Sequence, residues 1–191
     1  CIVGQKATDG LNEPSSRMRG EIERFQQDVG AFNRFWTSEL STARIVRFSQ
    51  LYEDELATLQ KMNFDLLSHD EHVDYILFKN YLEHEQKELK RFIYQVEEMH
   101  QLLPFAIVIT NLEDTRRQLK DIDSRKAATT LDELAKTIPS LQKAVESGTV
   151  PKPKRTVANR TARHVAGLRD TLRRWYTFYN AYDPTFTWWC E

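Results

Sequence analysis

From Met18 onward, apolar residues return every third or fourth position: Met18, Ile22, Phe25, Val29, Phe32 and Trp36. That spacing puts them on one stripe of an amphipathic helix. Ile45, Phe48, Tyr52, Leu56, Leu59 and Met62 form a second stripe, opened by a Ser/Thr cap in "SELST". The connection "NFDLL" then docks Phe64 on the core. Ser68 followed three residues later by Glu71 has the form of a capping box. Beyond it Val73, Leu77, Tyr81, His84, Leu89, Phe92, Val96, Met99 and Leu103 keep helical spacing for about 30 residues.

Pro104 predicts an end or a kink to that long helix. A shorter helix follows over 105–121 with Ile109, Leu112 and Leu119 inward. Ser124 caps another, carrying Ala127, Leu131, Leu134, Ile138, Leu141 and Val145; Pro139 predicts a kink in it and Gly148 its stop. "GTVPKPKRT" (148–156) reads as an internal linker. The last helix, about 154–181, places Ala158, Val165, Leu168, Leu172, Trp175 and Tyr179 on one face, with Arg155, Arg160, Arg163, Arg173 and Arg174 roughly opposite. Asp183-Pro184 then breaks it, and "FTWW" predicts an extended segment. No strand alternation or internal repeat competes. The expected architecture is all-α: five or six antiparallel helices, two of them long, in one domain over 15–191 behind a flexible lead of residues 1–14.

Composition supports helices, because 191 residues contain only 6 Gly and 6 Pro, too few for an all-β protein with many turns. No apolar run approaches the ~20 residues of a membrane span; the longest, "LLPFAIVIT" (102–110), contains Pro104. The net charge is −1, so no overall field recruits nucleic acid. Charge is nonetheless segregated: 53–98 holds 12 acidic against 5 basic residues, whereas 151–174 holds 8 basic and one acidic. Mutual attraction of the two segments is the simplest expectation.

Candidate chemistry is sparse. Cys1 and Cys190 are the two cysteines, one at each end, and their pairing is left open. A lipid-bearing Cys1 at the start of a mature, exported lipoprotein is one reading, with the polar "GQKATDGLNEPSS" as its tether. Asn159-Arg160-Thr161 is a formal glycosylation sequon. His69-Asp70-Glu71-His72 gathers four potential metal ligands, with His69 and His72 the weak metal candidates; carboxylates in a first helical turn also suit the helix dipole without any metal. "HEQKE" (84–88) nearly imitates the H-E-x-x-H helix of zinc peptidases, but Glu88 stands where the second His belongs. His84 is therefore expected to be a partly buried structural residue. A lone Glu97-x-x-His100 lacks the second copy that a di-iron bundle needs. There is no Gly-x-Ser-x-Gly elbow or Gly-rich phosphate loop.

Four segments together resemble the N-terminal half of the family called domain of unknown function 885: "DYILFKNYLEHEQKEL" (74–89), "LLPFAIVITNLEDTRRQL" (102–119), "KRTVANRTA" (154–162) and "LRRWYTFYNAYDPTFTWW" (172–189). They span much of residues 40–189, and "YDPTFTWW" is the most specific. The resemblance implies a helical scaffold of a zinc metallopeptidase-like protein, often exported or lipid-anchored. Its zinc-binding H-E-x-x-H helix belongs to the half that follows, so the resemblance implies neither a catalytic residue nor a cofactor site in this chain. It also implies that Tyr179, Tyr182, Asp183, Trp188 and Trp189 border that other half, a partner chain or a peptide. The alternative is a self-contained binding module that uses the same aromatic terminus for a peptide, small ligand or protein. Phe186, Trp188 and Trp189 either fold back onto the helices or expose apolar area that invites a partner; fold-back is the expectation.

Overall fold

The computed structural model describes residues 16–190. The fold is all-α, with seven α-helices and no strand among these residues: α1 (Arg17–Phe35), α2 (Thr42–Gln60), α3 (His69–Met99), α4 (Ala106–Arg117), α5 (Ser124–Glu146), α6 (Arg155–Tyr179) and α7 (Pro184–Cys190). Short 3₁₀ turns at Phe64–Leu66 and His100–Leu102 flank α3. None of the described helices is long and apolar enough to cross a membrane.

Side-chain caps account for most helix starts. Ser16, Ser41 and Ser68 each accept a backbone N–H from the first turn of α1, α2 and α3. At α3 the capping box is complete, since Glu71 reaches back to the backbone N–H of Ser68 at 2.9 Å. Asp123, one residue before the expected Ser124, caps α5. Residues 147–154 connect α5 to α6.

The packing divides into three apolar clusters. Phe25 of α1, Phe48 and Leu59 of α2, and Phe78 and Leu82 of α3 belong to the first. Met99, Leu103, Ile109, Leu134, Val157 and Leu168 join α3 through α6 in the second. Trp175, Tyr179, Phe186 and Ala127 make the third, where α7 closes against α5 and α6.

Several sequence expectations need correction. In the first half of α3 the buried residues are Phe78 and Leu82, while Val73, Leu77 and Tyr81 are exposed. Two apolar stripes lie side by side there, and periodicity cannot choose which of them meets α1 and α2. His84, assigned to the wrong stripe, is exposed. Leu119 is not inward but 87% exposed, one residue past the C-cap of α4 with φ of 54°. In α6 the buried face uses Thr161 and Thr171 where an apolar stripe was expected, because each threonine is small; Thr161 also satisfies its hydroxyl on the Val157 carbonyl at 2.9 Å. "FTWW" is not extended: Pro184–Cys190 is helical.

Candidate functional site

The end of α6 is built around a buried aromatic ladder. Trp175 and Tyr179, one turn apart, both meet the ring of Phe186, at centroid distances of 5.5 and 5.4 Å. Phe186 is fully buried, which anchors α7 although seven residues are too few for a stable isolated helix. Between the two helices, Ala181 adopts φ of 65° and turns the chain back. Thr187 Oγ1 locks this turn by accepting the Ala181 N–H at 2.9 Å and bonding Asn180 Oδ1 at 3.0 Å.

Asp183 explains why a helix follows. Its carboxylate accepts the Thr185 N–H at 2.9 Å, and Pro184 takes the first helical position, where a missing N–H costs nothing. Ser124, at the start of α5, donates its hydroxyl to the same carboxylate at 3.0 Å. The Ser124 bond, aided by the backbone N–H groups of α7, holds the Asp183 carboxyl below its ordinary value. Asp-Pro, which reads as a helix breaker in the sequence, is here a cap and first residue.

The five residues singled out at this end therefore divide. Tyr179 and Asp183 are structural: the first is buried, its phenol pushed up by that burial, and the second ties α7 to α5. Tyr182, Trp188 and Trp189 face outward, with Tyr182 84% and Trp188 80% exposed. Trp189 lies under the Arg125 guanidinium at 5.2 Å. The fold-back expectation thus holds for Phe186 and fails for Trp188, because residues two apart on a helix point about 160° apart.

Phe178, which the sequence did not single out, and Leu119, which it placed inward, add exposed apolar surface at this end. Phe178 is half-exposed beneath the Arg116 guanidinium at 4.9 Å, and with Leu119, Phe35 and Ala31 it lines an open cavity of about 420 Å³ rimmed by Arg34, Arg116 and Arg117. The signal of Phe178 in the sequence was only an apolar residue off the buried stripe.

Beneath this rim lies a polar knot. Glu113, 1% exposed, accepts from Arg116 Nε at 2.8 Å and Arg117 Nε at 2.9 Å. Burial opposes its charge, but the two arginines outweigh it and hold its carboxyl below the ordinary value. Asp114 accepts the hydroxyl of Ser41 at 2.6 Å, while burial pushes its carboxyl up. The pair clamps α4 to the connection between α1 and α2.

Two members of the histidine cluster, Glu71 and His72, serve the fold. His72 Nε2 bonds the Phe64 carbonyl at 2.7 Å and its ring lies 4.2 Å from that of Phe64, so it fastens the 3₁₀ turn to α3. His69 is exposed. Glu71 is engaged by the backbone N–H groups of Ser68 and Arg17, each at 2.9 Å. Among the described residues no three His, Cys, Asp or Glu side chains converge as a metal site. Cys190 is half-buried, Cys1 lies outside the described residues, and Asn159 is exposed on α6. Between the acidic and basic segments, the described residues form one ion pair, Arg160 to Glu98 at 2.9 Å. No family model matches the chain, and no curated protein or solved structure is significantly similar to it.

Proposed function

We propose that this chain is a helical scaffold without catalysis of its own, forming one wall of a cleft in a zinc metallopeptidase-like protein. Its aromatic end docks the polypeptide that carries the H-E-x-x-H helix, as a continuation of the chain or as a separate one. The observation that carries this reading is the exposure of Phe178, Leu119, Tyr182 and Trp188 at the closing end of α4, α6 and α7. Phe178 and Leu119 line one open cavity, and exposed apolar surface gathered in this way marks contact sites. Aromatics and arginine, both present here, are the residue types enriched in such contacts. The resemblance across 74–189 supplies the nature of the partner. An exported or lipid-anchored setting follows from the same resemblance.

The purified chain supplied with zinc is expected to leave peptide substrates intact. Hydrolysis that disappeared in His72→Ala or His84→Ala would overturn the proposal. A second reading, a stand-alone binding module, draws support from Trp188 standing free beside the Arg125-stacked Trp189. Under that reading a peptide or small ligand shifts tryptophan emission in the isolated chain; under the first reading the emission stays constant.

A further inference from the structure

Away from the aromatic end, a cleft of about 590 Å³ opens between the connection joining α1 to α2, the C-terminal third of α3 and one side of α6. That volume is in the range of small-molecule sites, roughly 300–1,000 Å³. Its apolar wall is Leu40, Phe92 and Leu168, and its polar groups are unevenly charged. Arg160, Arg163 and His164 recur at helical spacing on α6, so they share one face. Arg174 approaches from farther along, its guanidinium donating to Thr171 Oγ1 at 3.3 Å. Two carboxylates also line the cleft, Glu39 and Asp170. Asp170 is engaged by Arg169 at 3.3 Å and Arg160 by Glu98, whereas Arg163 and Arg174 have no ion pair among the described residues. Burial, together with the charges of Arg160 and Arg163 and against that of Glu39, keeps His164 below its ordinary value and thus neutral near pH 7. The cleft therefore holds unspent positive charge beside an apolar wall.

We propose that this cleft binds a small molecule with a flat apolar body and one oxyanion, phosphoryl or carboxylate. The body rests against Phe92, the half-buried member of that wall, and Arg163 meets the oxyanion with its forked donors. Gly167 lies one turn beyond Arg163 and lines the cleft, and a Cβ built there meets nothing within 4 Å. A larger side chain at this position occupies the cleft without disturbing the core.

The test is calorimetric titration in phosphate-free, low-salt buffer with phenyl phosphate, benzoate and benzyl alcohol. One of the two anions is expected to bind at least about tenfold more tightly than the neutral alcohol, and which one does so identifies the oxyanion. Arg163→Ala weakens that binding about tenfold or more, Gly167→Leu abolishes it and Glu39→Gln strengthens it. Gly167→Leu is expected to melt no lower than the parent, since leucine is the better helix former. Equal affinity for both anions and the alcohol overturns the proposal. So does anion binding that survives both Arg163→Ala and Gly167→Leu.

Discussion

Glu113 shows how much of this molecule rests on single polar residues. Its carboxylate is buried and held by two adjacent arginines. Removing one partner of a buried charge cluster costs roughly 3–5 kcal/mol, so Glu113→Ala is expected to lower unfolding free energy by about 3 kcal/mol in urea titrations. Its depressed folded-state value makes this contribution full above the unfolded carboxylate value. The contribution fades as pH falls through the folded value. Glu55 has the opposite sign. It is 7% exposed, with Arg24 at 3.8 Å; burial raises its carboxyl despite that arginine. At pH 7 the folded state bears the cost of an ionised Glu55, and the cost disappears as pH falls from the folded value to the unfolded one. Glu55→Gln is therefore expected to raise the melting temperature at pH 7 and leave it nearly unchanged below pH ~4. A loss of stability at pH 7 would contradict that assignment.

Helices were legible where one apolar stripe stood alone, and their details were lost where two signals competed. The capping box at Ser68 and the stripe of α1 (Met18, Phe25) survive in the structure unchanged. In α3 a second apolar stripe beside the first left the choice to tertiary packing. Asp183-Pro184 carried both a stop and a start, and only the Ser124 contact and the Phe186 socket decide in favour of a helix. Buried Glu113 and Asp114 were hidden because charged residues at helical spacing usually read as a solvated face. Two predictions belong to this scale. Phe186→Ala should detach α7 while the other helices stay folded, seen as proteolysis confined to residues 180–190 with far-ultraviolet ellipticity largely kept. Global unfolding at the same temperature would show that α7 is integral to the core. Pro139→Ala should stabilise α5, by up to about 3 kcal/mol, because an interior proline gives up a helix hydrogen bond. Destabilisation would mean that the proline shapes the α5 surface in a way that alanine cannot.

At the scale of the whole molecule, the surface is apolar at places its own fold does not use. Val73, Ile76, Leu77 and Tyr81 run exposed along α3, beside a groove of about 460 Å³ shared with Ile22 and Val29 of α1. Phe178, Leu119, Tyr182 and Trp188 stand out on the later helices and the turns beside them. Under the proposed scaffold role, these surfaces are where further protein meets the chain. Hydroxyl-radical footprinting tests the point most directly, comparing this chain alone with the same residues in the polypeptide or assembly isolated from its native cells. Strong labelling of Tyr182, Trp188 and Leu119 in the isolated chain, with clear protection in the native form, is the predicted result. Equal labelling in both would contradict a docking role for the aromatic end.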